Sequence, residues 1–500
     1  MQYRPTIGLE IHAELKTRTK MFCNSANDPD EIRPNINVCP ICTAHPGTLP
    51  IINREAVRHI LRIGIAVGGK FADRSEFDRK SYFYPDIPKG YQISQYAFPF
   101  VTGGSLAGVI LTRIHLEEDT ARSIHVGSVA GDPEHSEWTD GGSYVDFNRA
   151  GIPLMELVTE PVIHDAKTAV YFARELQLLL RTIGASEANL EKGEMRIEAN
   201  ISVRPIRSDL EDSDLRSDLL RPLGTKVEVK NLNSFRSVER AIEFEINRQI
   251  SLLEDGKEVI QETRGWDESK QISFHQRSKE GSADYRYFPE PDLPNIFLSE
   301  IPEFSQETIR ASLPELPWER RTRYANSYNL KDADIEFLTS STIRSDFFDA
   351  VVEQLKKENA DPNFIQLAAN YIISDLTGWY AKNGGTEYET LSPASLAKLV
   401  RMVGTKVLSS RGAKDTLIVL VEKGGDPEII ANELGIIQIH DSEKLASAVD
   451  SVLAREEKAV LEYRSGKQTA LQFLIGKAMQ ESRGAGNPLE LRKIIIERIG

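Results

Sequence analysis

Residues 7–15, IGLEIHAEL, alternate strictly: Ile7, Leu9, Ile11, Ala13 and Leu15 are apolar or small, and Gly8, Glu10, His12 and Glu14 fall between them. A period of two predicts a strand with one buried face, so Glu10 and His12 leave the other face about 7 Å apart. The same alternation runs through residues 108–119 (GVILTRIHLEED), 194–205 (EMRIEANISVRP) and 224–233 (GTKVEVKNLN). Two helical stretches interrupt these strands. The first opens on Asp165 as N-cap and stops at Gly184; the second opens on Asn233 or Ser234 and stops at Gly256. The pattern predicts an α+β region with a largely antiparallel sheet over residues 1–293.

A proline-rich stretch, FPEPDLPNIFLSEIPE, reads as a hinge, and beyond it the alternation gives way to apolar stripes at helical spacing. Residues 294–405 read as an all-helical domain, with Ser392 capping a helix whose first residue is Pro393. Residues 406–500 read as a small helical tail, in which Asp426 and Pro427 repeat the cap-then-proline signal and Gly435 closes the helix. Its last part, residues 452–500, holds nine Lys and Arg against six Asp and Glu. That is a modest basic patch or an ordinary solvated helix face.

Composition bounds the function. The chain of 500 residues is 40% hydrophobic and 27% charged with a net charge of −14. An acidic chain does not attract nucleic acid through its overall field, so any RNA contact must come from local basic patches. The start, MQYRPTIGLEIH, lacks the apolar core of a signal peptide, and no apolar run is long enough to span a membrane. Three cysteines do not make a disulfide framework. The expected location is the cytoplasm or an equivalent reducing compartment, organelles included.

Three constellations could carry chemistry. The first is acidic: Glu10 and His12, then His115, Glu117, Glu118 and Asp119, then Glu198 with Asn200, then Glu228. Carboxylates with an imidazole on sheet faces suit Mg²⁺ held together with substrate phosphates, although each is also an ordinary strand residue. The second is FDRKSYFYPDIPKGYQISQY, residues 77–96, which interleaves Arg79, Lys80 and Lys89 with Tyr82, Phe83, Tyr84, Tyr91 and Tyr96. Cations with aromatic rings suit a flexible RNA end, and aromatic rings also build core corners. The third is Cys23 with Cys39-Pro-Ile-Cys42, one ligand short of a zinc site unless His45 completes it. No P-loop, dinucleotide fingerprint or G-x-S-x-G motif is present.

These stretches, with HPGTLPIIN, VDFNRAGIPLMELVTEP, DYRYFPEPDLP and the ending IGKAMQESRGAGNPLELRKIIIERI, resemble the B subunits of the aspartyl/glutamyl-tRNA amidotransferases over nearly the whole chain. The resemblance implies a cradle-shaped catalytic domain, a helical domain and a tail that contacts tRNA. It implies ATP- and Mg²⁺-dependent phosphorylation of the side-chain carboxylate of Glu-tRNA(Gln) or Asp-tRNA(Asn). Ammonia from the A subunit, an amidase that a small C subunit holds in place, then displaces the phosphate. Glu10, His12 and Glu118 carry over as catalytic residues; together with Glu198 and Glu228 they carry over as metal ligands. Lys80, Tyr82, Tyr84, Lys89 and Tyr91 are the expected contacts to the tRNA end. Alternation alone selects His115 and Glu117 rather than Glu118. The chain departs from the family's usual pattern in carrying Glu198 for Asp, Arg122 for Lys and an incomplete cysteine set, which leaves structural zinc at Cys23, Cys39 and Cys42 in doubt. A non-catalytic tRNA-binding scaffold and a metal-dependent phosphoesterase are the rival readings of the same residues.

Overall fold

The computed structural model describes residues 2–126, 142–206, 222–278, 285–358, 360–437, 442–482 and 488–499. They fall into two compact units, Met1–Leu316 and Pro317–Gly500.

The first unit is built on a ten-stranded sheet. Its long strands are β1 (Gln2–Glu14), β2 (Val109–Glu118), β3 (Pro153–Thr159), β4 (Met195–Ile206), β5 (Val227–Leu232), β6 (Glu262–Asp267) and β7 (Ile272–Ser278), in the spatial order β7-β6-β5-β4-β1-β3-β2. All these neighbours are antiparallel except β5 and β6. Strand β1, first in the chain, therefore lies at the centre, between β3 and β4. Its apolar positions Ile7, Leu9 and Ile11 are buried to 1% exposure or less, as alternation requires.

Among the described residues, three helices of at least three turns accompany the sheet: α1 (Arg54–Ala66), α2 (Ala166–Thr182) and α3 (Phe235–Glu254). The Asp165 carboxylate accepts from Thr168 N at 2.8 Å and caps α2, while the Ser234 hydroxyl accepts from Ser237 N at 3.0 Å and caps α3. Gly184 and Gly256 end them in the left-handed conformation, with φ of 68° and 71°. Helix α3 packs on α2, β4 and β5 and makes the crossover that the parallel β5–β6 pair needs. Helix α1 was not among the helices expected from the sequence. Its signals are local: Asn53 caps it, and Ala56, Val57, Ile60, Leu61 and Ile63 form a buried helical stripe.

The proline-rich stretch is tied into the first unit. Phe288–Pro289 pairs with Asp78–Ser81, Ile296–Phe297 pairs with Arg74–Ser75, and the Arg79 guanidinium grips Glu290 through bonds of 2.7 and 2.8 Å. The unit then continues to Leu316, past residue 293.

The second unit is helical, with two separate apolar clusters. The larger spans residues 324–431 and includes Phe348 and Val351 together with Ala413, Leu417, Leu420 and Ile430. The smaller gathers Leu445, Val449, Leu474, Leu491 and Ile495. Helices Ser410–Lys423 and Pro427–Glu433 thus share the core of the preceding helices, although they lie past the expected junction and inside the expected tail. Gly404, at that junction, packs instead of linking: a Cβ there would come within 2.1 Å of the Phe364 ring. Among the described residues no helix is long and apolar enough to cross a membrane.

Candidate active site

Strand register assembles the polar face of the sheet. His12 lies opposite Glu156 on β3 and Arg196 on β4, and Glu156 lies opposite His115 on β2. One row across four strands thus reads Arg196, His12, Glu156, His115. Glu10 lies opposite Glu198, and Asn200 lies opposite Glu228. His12 Nε2 is 3.4 Å from Glu156, 3.5 Å from Glu117 and 3.9 Å from Glu10. His115 Nε2 is 3.2 Å from Glu156.

Burial alone would discharge His12. Its hydrogen bond to Glu156 and the charges of Glu156, Glu117 and Glu10 outweigh burial and raise its pKa to about 9. Glu156 is driven well below the ordinary carboxylate range by His115 and His12, against its own burial. Glu10 shifts up, first through burial and then through repulsion by Glu156.

These residues line a cavity of about 540 Å³. Glu198 and Glu228 line it too and share Lys230, whose Nζ is 2.7 Å from Glu198 and 3.6 Å from Glu228. The buried Asn200 Oδ1 on the same wall has no hydrogen-bond partner among the described residues. Ligand atoms of Glu10, His12 and Glu156 lie within 4.8 Å of one another, as do those of His115, Glu117 and Glu156. A clustered carboxylate and imidazole set beside an orphaned amide oxygen fits a hard divalent cation.

Glu118 is not brought to this cluster. Parity turns it to the opposite face of β2, where it accepts from Ile93 N at 2.9 Å and pairs with Lys89. Glu117 stands beside His12 instead, as alternation selects. Lys89 and Tyr91 follow Glu118 into a small adjoining cavity. Lys80 and Tyr82 line the main cavity with Tyr285 and Tyr287, and Lys80 Nζ lies 5.2 Å from the Tyr285 ring centre. Burial works against the Lys80 charge, but Glu117, Tyr287 and Glu156 hold it protonated. Tyr84 is exposed, its ring edge-on to Tyr82.

Sequence reasoning missed Glu156, the residue that joins both histidines. Its signal was a single acid inside the apolar strand PLMELVT. It also missed Lys230, which shares strand parity with Glu228, and the alternating Tyr285 and Tyr287.

The Sγ atoms of Cys23, Cys39 and Cys42 lie within 4.8 Å of one another. The exposed His45 does not complete the set; its Nδ1 meets Thr43 Oγ1 at 3.2 Å. The groups facing the sulfurs are the Ser25 hydroxyl, 3.8 Å from Cys42 Sγ, and the Lys20 ammonium, 3.9 Å away. Three thiols facing an ammonium do not fit structural zinc, which needs four donors and repels a neighbouring cation. A hydrogen bond from Cys23, with Lys20 and the Cys39 amide, pulls the Cys42 thiol down to about 4 against its burial.

Comparison with known proteins shows the family. Residues 5–302 match the model of the GatB/GatE catalytic domain, and residues 346–499 match that of the GatB domain. The chain is 41% identical over 508 residues to the aspartyl/glutamyl-tRNA(Asn/Gln) amidotransferase B subunit of Thermomicrobium roseum, covering 100% of this chain and 99% of that one. It is 41% identical over 503 residues to the protein of that name in Thermus thermophilus, covering 100% and 99%, and 39% identical over 510 residues to that of a Synechocystis species, covering 99% and 97%. The chain belongs to the B-subunit family of the aspartyl/glutamyl-tRNA(Asn/Gln) amidotransferases, and so to the ligases that form carbon–nitrogen bonds.

Proposed function

We propose that this chain converts the side-chain carboxylate of Glu-tRNA(Gln), Asp-tRNA(Asn) or both into an amide. An oxygen of that carboxylate attacks the γ-phosphorus of ATP, ADP leaves, and the carboxylate oxygen becomes part of a leaving group. Ammonia nitrogen then attacks the carbonyl carbon, phosphate leaves, and the surplus proton passes to solvent. Phosphoryl transfer asks a protein mainly for positioning and charge neutralisation, so the missing P-loop is no obstacle.

The observation that carries this reading is the main cavity, which sets a hard-cation donor set beside cations and aromatic rings. Glu10, His12 and Glu156 would hold Mg²⁺, His12 giving up its proton as the ion binds, with Glu117, Glu198 and Glu228 around them. When bound, the ion neutralises phosphate charge on ATP. Lys80 orients the substrate carboxylate through charge, and exposed Lys226 at the rim meets phosphate. Tyr82, Tyr285 and Tyr287 offer faces for the tRNA terminus. Glu118 and Lys89, in the adjoining cavity, stand apart from the metal ligands. The ammonia comes from the A subunit, an amidase. A small C subunit holds the two together, and the C-terminal helices contact the tRNA body.

The test is the chain with ATP, Mg²⁺, misacylated tRNA and ammonium. Amide formation supports the reading. ATP loss without amide favours a phosphoesterase, and neither outcome favours a scaffold.

A further inference from the structure

The cysteine cluster has a use that zinc does not explain. Cys42 Sγ lies 3.8 Å from Cys39 Sγ, and the Cys39 amide donates to it at 3.1 Å. Lys20 is fully buried, and its ammonium donates to Phe147 O at 3.1 Å and to Cys42 Sγ at 3.9 Å. A buried ammonium needs a counter-charge, and of the groups that face Lys20, the three cysteine sulfurs and the Asp146 carboxylate, Cys42 acts on it most strongly. Cys42 also lines the small cavity that holds Lys89, Tyr91 and Glu118. At about 20 Å³ this cavity admits a molecule the size of water, and a hydroperoxide is scarcely larger.

We propose that Cys42 is a site of reversible oxidation by hydroperoxides, with Cys39 as the resolving thiol and Lys20 as the cation that keeps Cys42 reactive. In the first step the Cys42 thiolate attacks one oxygen of hydrogen peroxide. The O–O bond breaks, Cys42 becomes a sulfenic acid, and the departing hydroxide takes a proton to leave as water. In the second step Cys39 gives up its proton and its sulfur attacks Cys42. The S–O bond breaks, the disulfide forms and a second water leaves. Two thiols lose two electrons in total, and one peroxide is reduced to two waters. Two equivalents of an external thiol reverse the change: the first opens the disulfide to a mixed disulfide, and the second releases the protein thiol and leaves with the first as their own disulfide.

The test treats the full-length chain with hydrogen peroxide, alkylates the remaining thiols and maps the cysteines by tandem mass spectrometry. The expected product carries a Cys39–Cys42 disulfide, two hydrogens lighter, with Cys23 alkylated. Cys39→Ser should stop at a sulfenic acid on Cys42 that dimedone traps. Lys20→Met should slow Cys42 oxidation about tenfold. The wild-type map carries the test even where Lys20→Met fails to fold. Alkylation of all three cysteines after peroxide overturns the proposal, and so does one zinc ion per chain in the purified protein. A Cys23–Cys42 link overturns the role given to Cys39.

Discussion

His12 and Glu156 face each other across the central strand pair of the first unit, with Nε2 3.4 Å from the carboxylate. Each depends on the other for its charge. His12 is protonated because Glu156 is ionised, and Glu156 is ionised because His12 and His115 flank it. Glu156→Gln keeps the volume and removes the charge, leaving buried His115 and partly buried His12 without their shared partner. Losing one side of such a buried pair costs about 3 kcal/mol. Chemical denaturation should show that loss at neutral pH, alongside loss of amidation.

The same pair sets a pH dependence. The His12 pKa is raised from 6.5 to about 9, so its stabilising contribution is complete below the unfolded value and disappears as pH rises through about 9. Wild-type stability should therefore fall over that window, and His12→Gln should fall less. Parallel curves for the two proteins, measured by urea unfolding from pH 6 to 10, would sink the assignment.

Parity separates Glu117 from Glu118, and kinetics can too. Glu10→Ala should abolish amidation in a folded protein, since its side chain is partly exposed on a polar face. Glu117→Gln should raise the Mg²⁺ needed for half-maximal rate by about tenfold, as the loss of a residue supporting a metal ligand does. Glu118→Gln should leave that requirement unchanged. A shifted Mg²⁺ dependence in Glu118→Gln would place the metal on the other face of β2.

Glu198 supplies a third contrast. It shares the cavity wall with Glu10 and holds Lys230 at 2.7 Å. Glu198→Asp should retain substantial activity, because the charge is kept one methylene further back. Glu198→Gln should lose most of it, because Lys230 then pairs with Glu228 alone and the local negative charge falls. Amidation rate against Mg²⁺ for the two variants decides: equal behaviour would make Glu198 an ordinary strand residue.

The two apolar clusters of the second unit predict where it can be cut. Ending the chain at residue 437 removes the cluster of Leu445, Val449 and Leu491 and leaves that of Phe348 and Leu417 whole. The shorter protein should unfold cooperatively and bind tRNA more weakly, with a shallower salt dependence. Ending at residue 405 strips Ala413, Leu417, Leu420 and Ile430 from a shared core and should destabilise residues 317–405. Circular dichroism on heating separates the two truncations.

Much of this was legible in the chain. Caps at Asp165, Ser234, Ser392 and Asp426 are local hydrogen bonds between neighbours in sequence, and the structure makes all four. Alternation placed Glu10 and His12 on one face because side-chain direction in a strand is a local property. What alternation cannot supply is register. Glu156 reaches His12 through the pairing of residue 12 with residue 156, which no short window contains. Resemblance chose Glu118 where alternation chose Glu117, and in the structure it is Glu117 that stands beside His12. An apolar cluster runs across the expected junction at 405, and the sequence hides it for a related reason: a glycine that faces Phe364 looks, in sequence, like one that ends a domain.

The central place of β1 also bears on how the chain is made. Both of its partner strands lie far ahead of it, at Pro153–Thr159 and Met195–Ile206. At about 5–20 residues per second, the ribosome needs roughly 10 to 40 s to reach residue 206 after β1 emerges. Until residue 159 is made the stripe of Ile7, Leu9 and Ile11 has neither neighbour, and until residue 206 one edge of the strand stays open to other chains. The segment that carries Glu10 and His12 is thus the longest-waiting part of the nascent sheet. Its yield in a cell is set by what shields those first residues before the middle of the chain arrives.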